Sequence, residues 1–246
     1  MRLSPIQEKI VAAFNAAAQT YDSATPVQRE VARALVERAA AVSRAPATIL
    51  DLGAGAGHVT ELALSQWPDA ELTALDAAPA MLARLRAKFP KVTTIEGDAA
   101  RLDGLGRHDL ILSSMMLHWL DDPRAALAAW RRHLAPGGLL CVATPLAGSL
   151  HEWRALLRAS GLDDGLWAFP PENFADGLGA RVEIVDFPAV HPDARAFLRG
   201  LKGAGAHKSR PGARPAPAGA LRRLLAAQDG PFKATFRIAF LTLPAD

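Results

Sequence analysis

Three carboxylates and three glycines fall at spacings suited to gripping a nucleoside. Ile49-Leu50-Asp51-Leu52 is the apolar run of a buried parallel strand, and Gly53, Gly55 and Gly57 follow where a helix is expected to begin. Glycines there let backbone approach a ligand closely. Twenty-three residues after Gly53, Leu72-Thr73-Ala74-Leu75-Asp76 ends a second strand in an acid placed to accept from both ribose hydroxyls. After a third strand from Lys91 to Ile95, Gly97-Asp98-Ala99 sets a carboxylate where an adenine amino group can donate to it. Asp98 also suits a turn cap, and both readings stay open.

Two details separate this pattern from dinucleotide binding. The fingerprint G-x-G-x-x-G/A requires a small residue at position 58, where helix and strand pack closely, and here that residue is His58. Asp51, just ahead of the glycines, would oppose a pyrophosphate and attract an ammonium group. The expected ligand is therefore S-adenosylmethionine. A plain glycine-rich turn is the competing reading of residues 53–57, and Asp76 in register weighs against it.

The elements that must hold these residues alternate. Strands are expected at 48–52, 71–75, 91–95, 108–114 and 138–144, with helices at 57–66, 79–88 and 122–134. Pro136-Gly137-Gly138 is expected to follow a helix ending at Leu134 and to launch the strand carrying Cys141. Ahead of them, Ile6, Ile10 and Phe14 mark an amphipathic helix. Thr25-Pro26-Val27-Gln28 reads as a capping box opening a second helix, with Tyr21 in the bend between the two. Beyond Pro145, residues 149–160, 192–203 and 217–228 read as helices, and 181–187 and 234–243 as strands. The fold class is a doubly wound, mostly parallel seven-stranded α/β sheet ending in an antiparallel pair, with N-terminal helices and a C-terminal helical insertion free to form a lid. One domain is expected: a helical cap over 1–44, a ligand-binding core over 45–145, and a C-terminal part over 146–246 with the insertion at about 190–230.

In open α/β sheets ligands sit beyond the carboxyl ends of the strands at the switch point. Gly53 to Gly57, Asp76, Asp98 and the segment Ser113-Ser114-Met115-Met116-Leu117-His118-Trp119 all fall at such ends. Ser114 joins the expected cofactor contacts, and His118 is expected to face the pocket, while Met115, Met116 and Trp119 suit packing equally well.

Composition narrows the classes. Half of the 246 residues are apolar, yet no apolar stretch reaches the ~20 residues that span a bilayer, and the N-terminus lacks a signal-peptide core, so no membrane association and a cytoplasmic location are expected. The single cysteine, Cys141, excludes an internal disulfide and reads as a buried strand residue; no metal is expected. Net charge is +3, but residues 195–223 hold eight Lys or Arg and no Asp or Glu. That segment is either a solvated loop or a field that attracts an acidic partner. Few aromatics are interleaved with the charges, so nucleic acid is not the expected partner.

Asp51-x-Gly-x-Gly-x-Gly57, Asp76, Gly97-Asp98, Leu117-His-Trp-Leu-Asp-Asp-Pro123 and Pro136-Gly-Gly138 together resemble the class I S-adenosylmethionine-dependent methyltransferases over residues 48–145. The flanks resemble the malonyl-[acyl-carrier protein] O-methyltransferase family of biotin synthesis. The similar segments are Ala13-Phe-Asn-Ala-Ala-Ala-Gln-Thr-Tyr21-Asp, Gln28-Arg29, Gly148-Ser-Leu150, Phe169-Pro-Pro-Glu172, and Phe197-Leu-Arg-Gly-Leu-Lys-Gly-Ala-Gly-Ala-His207. Residues 208–219 depart from the family in their Pro and Ala content. The resemblance implies cofactor contacts from Tyr21, Asp51, Gly53, Gly55, Gly57, Asp76, Asp98 and Ala99, and substrate contacts from the lid around Lys202 and His207. It also implies a malonyl-loaded acyl carrier protein, which is acidic, as the partner. Methyl transfer to an ionised carboxylate requires no general base, so no catalytic residue is expected. Two alternatives share the fold: methylation of another small carboxylic acid or a quinone precursor, and a non-catalytic assembly factor.

Overall fold

The computed structural model of the chain describes residues 3–43, 45–207, 210, 212–214 and 216–245. Helices α1 (Pro5–Ala17), α2 (Tyr21–Ala24) and α3 (Pro26–Val42) come first. Then β1 (Thr48–Leu52), α4 (His58–Gln66), β2 (Glu71–Asp76), α5 (Pro79–Lys88), β3 (Thr93–Glu96), β4 (His108–Ser114), α6 (Pro123–Arg131) and β5 (Leu134–Pro145) alternate, with a 3-10 turn at Leu117–Trp119. The chain finishes with α7 (His151–Ala159), β6 (Arg181–His191), α8 (Ala194–Gly203), α9 (Ala218–Ala227) and β7 (Phe232–Pro244).

The sheet has seven strands in the order β3-β2-β1-β4-β5-β7-β6. The first five are parallel, and β7 runs antiparallel to both β5 and β6. The doubly wound reading holds, with the order reversing between β1 and β4, where the ligand crevice belongs. The central strands β1, β4 and β5 are largely apolar because both of their faces are covered: Ile49, Leu110 and Cys141 point to the layer holding α3, while Leu50, Ile111 and Leu140 point to the layer holding α6 and its buried Trp130. Cys141 is a packing residue, its thiol pushed up to about 11 by burial.

Three local expectations are corrected. First, α6 stops at Arg131 and β5 begins at Leu134, so Pro136-Gly137-Gly138 lies inside the strand. The register there slips from His108 opposite Leu134 to Leu110 opposite Leu139. At this bulge a Cβ on Gly138 would come within 2.9–3.0 Å of three backbone carbonyl oxygens. Second, β6 continues to His191, beyond the expected 187, because the long β7 offers it partners as far as Phe232. Third, Thr25 precedes α3 without capping it, and Tyr21 opens a helical turn of its own rather than lying in a bend.

The N-terminal helices and α8 close over the carboxyl ends of the strands. Asn15 on α1 accepts from the Ala80 amide at the start of α5 at 2.9 Å, and Asp22 on α2 pairs with Arg84 and Lys88 of α5 at 2.8 and 2.7 Å. The Thr20 hydroxyl donates to Gly203 O at 2.9 Å. Just beyond, Gly205 takes φ +73° and lies so near α1 that a Cβ would be 3.0 Å from Phe14 Cδ1 and 3.1 Å from Ala13 O. The glycine-alanine pairs of residues 203–206 are therefore the place where the C-terminal insertion meets α1 and α2.

Candidate functional site

A cavity of about 110 Å³, open at its mouth, lies over the ends of β1, β2 and β4. Seven of the expected cofactor residues line it: Tyr21, Gly53, Gly55, Asp76, Asp98, Ala99 and Ser114. The glycine loop is pinned to β2, since the amides of Gly53 and Ala54 both donate to Leu75 O at 2.8 and 3.1 Å. The Asp76 carboxylate completes that tie, with Oδ2 accepting from the Gly55 amide and Oδ1 from the Ala78 amide, both at 2.8 Å. Burial holds Asp76 above the usual carboxylate range, although these amides oppose the shift.

Asp51 and Gly57 stand behind the cavity wall. Asp51 is buried, with Oδ2 accepting from the Thr60 hydroxyl at 2.7 Å and Oδ1 buried without a partner. Desolvation raises its pKa to about 7, the Asp76 charge adding to the rise and Thr60 opposing it. Gly57 takes φ +97° ahead of α4, and a Cβ there would lie 3.0 Å from Phe89, so it serves the packing of α4 on α5.

Asp98 keeps both of its readings: Oδ1 accepts from the Ala100 amide at 2.9 Å as a turn cap, and the residue lines the cavity. The loop it sits on is held by Trp130, whose indole N–H donates to Ala99 O at 2.7 Å. Ser114 Oγ is buried without a partner, and Met115 beside it takes a positive φ of 56°. Met116 lies over the glycine loop, where a Cβ on Gly53 would collide with its side chain. The glycine cradle, the acids of β2 and the loop after β3, and the orphaned Asp51 oxygen fit a nucleoside with a cationic tail.

A second cavity adjoins the first and shares Phe14, Tyr21, Met115 and Trp119 with it. Its remaining wall includes Gln28, Leu150, Trp167, Phe169 and Phe236. The aromatics interlock: Phe14 meets Trp119 edge-on at 5.8 Å, and Trp119 meets Trp167 at 5.4 Å. His118 lines this cavity, between Trp119 and Phe169, and burial alone drives its pKa down to about 3, so the imidazole is neutral. Tyr21 stays protonated, its phenol raised by burial and by the charges of Asp76, Asp22 and Asp51.

The two lid residues expected to touch substrate stand elsewhere. Lys202 is exposed in the last turn of α8, whose other side packs Phe197, Leu198 and Leu201 on the core. His207 is also exposed and lines a separate surface pocket with Asp163 and Arg214. The place of Lys202 follows from the helical phase of α8, which the sequence alone left open, and His207 lies beyond the end of that helix. Phe14, Gln28 and Trp167 were missed as lining residues; Phe14 reads as an ordinary packing residue of an amphipathic helix.

The basic segment is partly compensated from outside itself. Arg210 pairs with Asp163 at 2.6 Å, and the Arg214 amide donates to the same carboxylate. Lys208 lies outside the described residues. Arg195, Arg199 and Lys202 are exposed at i, i+4 and i+7 on one side of α8, and Arg222 and Arg223 are exposed on α9.

Known proteins agree with this geometry. A family model described as a methyltransferase domain matches residues 49–138. The chain is 31% identical over 264 aligned positions to a malonyl-[acyl-carrier protein] O-methyltransferase of Laribacter hongkongensis, covering 95% of this chain and 88% of that one. It is 36% identical over 219 residues to the biotin biosynthesis bifunctional protein BioCD of Bordetella avium, covering 86% of this chain and 47% of that protein, and so spans about half the length of that relative. Among solved structures, the YcgJ protein from Bacillus subtilis has the same fold, with a TM-score of 0.60 at 16% identity, covering 87% of this chain and 97% of that one. Aligned with one of these relatives over nearly its whole length, the chain belongs to the malonyl-[acyl-carrier protein] O-methyltransferase family.

Proposed function

We propose that this chain uses S-adenosylmethionine to esterify the free carboxylate of malonyl-acyl carrier protein, a step of biotin synthesis. The observation that carries the reading is the shared wall between a glycine-lined, acid-rimmed cavity and an aromatic one. That arrangement lets a methyl donor and an acyl acceptor meet at Phe14, Tyr21, Met115 and Trp119. Family membership favours this substrate over another small acid, a quinone precursor or a non-catalytic role.

Bound in the first cavity, S-adenosylmethionine supplies a methyl group on a sulfonium, which passes to a carboxylate oxygen while the carbon–sulfur electron pair stays on sulfur, so that both charges vanish and no proton moves. Asp76 is assigned to the ribose hydroxyls, Asp98 to the adenine amino group and Asp51 to the ammonium group, with Gly53 and Gly55 letting the backbone approach. The chain's task is then alignment and drying. Orientation of the reacting partners contributes several kcal/mol. A dry aromatic cavity favours a step in which opposite charges cancel, because it removes water that stabilises the separated charges. The closure of α1, α2 and α8 over the strand ends provides that exclusion.

For the partner we assign the exposed basic side of α8 and the Arg222-Arg223 pair of α9 to docking of the acidic carrier protein. Such a field raises the rate of encounter more than the final affinity. Tritiated methyl transfer from S-adenosylmethionine to malonyl-acyl carrier protein tests the reading, with malonyl-coenzyme A and acetyl-acyl carrier protein as controls. Label in the malonyl-carrier product alone is expected, and its absence would sink the proposal.

A further inference from the structure

Gln28 occupies the first turn of α3, where the sequence assigns it to a capping box with Thr25. The box does not form. The Thr25 hydroxyl donates to Tyr21 O at 2.7 Å and receives His58 Nε2 at 2.8 Å, and no side-chain bond caps the helix. The Gln28 amide is left without a hydrogen-bond partner among the described residues and lines the acceptor cavity.

Among the described residues lining that cavity, none is Lys, Arg, Asp or Glu. Its polar side chains are Tyr21, Gln28, a neutral His118 and the indoles of Trp119 and Trp167, set among Leu150, Leu166 and Phe236. A carboxylate entering such a space leaves water and must find hydrogen-bond donors. Tyr21 belongs to both cavities and His118 is wedged between Trp119 and Phe169. Gln28 alone presents an amide, one N–H of which can donate to a carboxylate oxygen.

Resting on the reading that a carboxylate is the acceptor, we infer that Gln28 is the specificity-determining residue of the acceptor cavity, donating to the non-reacting oxygen of the acyl carboxylate. A neutral amide suits this chemistry better than a guanidinium or an ammonium. A full ion pair would draw charge from the attacking oxygen, whereas an amide N–H fixes one oxygen and leaves the other nucleophilic. It also discriminates, because a methyl end in place of the carboxylate gives the half-buried Gln28 amide no acceptor.

The test measures binding apart from turnover. Titrations of malonyl- and acetyl-acyl carrier protein into the protein with S-adenosylhomocysteine give the preference for the free carboxylate, for wild type, Gln28→Leu and Gln28→Glu. Wild type is expected to prefer the malonyl form. Gln28→Leu should lose roughly ten- to a hundredfold in malonyl affinity while binding the acetyl form and S-adenosylmethionine as before. Gln28→Glu should bind the malonyl form more weakly still, through charge repulsion. Undiminished malonyl preference in Gln28→Leu would overturn the assignment while leaving the enzyme's activity intact. A wild type that neither prefers nor methylates the malonyl form would overturn the function itself.

Discussion

His58 Nε2 donates to the Thr25 hydroxyl at 2.8 Å, a direction set by the hydroxyl's only hydrogen, which goes to Tyr21 O at 2.7 Å. The imidazole is therefore the neutral Nε2–H tautomer, with Nδ1 buried and without a partner. Its ring stacks on Tyr21 at 5.5 Å. The residue that breaks the dinucleotide fingerprint thus fastens the N-terminal helices to the start of α4 and sets the one tyrosine common to both cavities.

Replacing Thr25 by Val keeps its shape and leaves the buried His58 N–H unpaired. A loss of about 1–3 kcal/mol in unfolding free energy is expected from urea titration. Weaker S-adenosylmethionine binding should accompany it as Tyr21 loosens, and unchanged stability would show that the bond holds nothing.

The same histidine gives a pH signature. Burial, with the Arg29 charge second, depresses its pKa to about 4 in the folded state, against 6.5 for an unperturbed imidazole. Between those values the unfolded chain binds the extra proton, so this contribution is fully present above about pH 6.5 and is lost as pH falls to about 4. It amounts to roughly 3 kcal/mol. Asp51, raised to about 7, works in the opposite sense across that window, its contribution lost as pH rises. The measurement is therefore the stability of wild type minus that of His58→Phe, which should shrink as pH falls from 6.5 to 4; a constant difference would remove His58 from the account.

With Asp51 assigned to the ammonium group, cofactor affinity is expected to depend on pH. Its carboxyl, half-protonated near pH 7 in the unliganded protein, must ionise to meet an ammonium group. Binding of S-adenosylmethionine measured by calorimetry should strengthen as pH rises from 6 to 7.5, and Asp51→Asn should bind more weakly with a flatter profile. Equal profiles would detach Asp51 from the ligand.

Asp76→Ala removes the carboxylate assigned to the ribose hydroxyls and also frees the Gly55 and Ala78 amides. S-adenosylmethionine binding should weaken by ~2–4 kcal/mol. Titration of wild type and variant checks it, and wild type should show no affinity for NAD.

Reversing Arg222 and Arg223 to Glu should raise KM for malonyl-acyl carrier protein with cofactor affinity unchanged, and added salt should mimic part of the effect. Lys202→Ala belongs to the same group: exposed on α8, it should move KM rather than kcat. Kinetics indifferent to salt and to both changes would leave this face a solvated surface.

The sequence by itself determined the alternation of strands and helices, the antiparallel finish and the convergence of Gly53, Gly55, Asp76 and Asp98, because these depend on local periodicity and on residues a few positions apart at strand ends. It also supported the family, through segments spread along the chain. Only the tertiary structure decided which side chains face the second cavity. Thr25-Pro-Val-Gln28 is a sound local capping signal, yet His58, 33 residues away, takes the threonine hydroxyl and releases Gln28 to the cavity. Lys202 and Phe14 change places in the same way. The lysine looks suited to an anion and faces solvent, while the phenylalanine looks like packing and lines both cavities. Helical phase against a distant element set each of these, and no spacing within one segment encodes it.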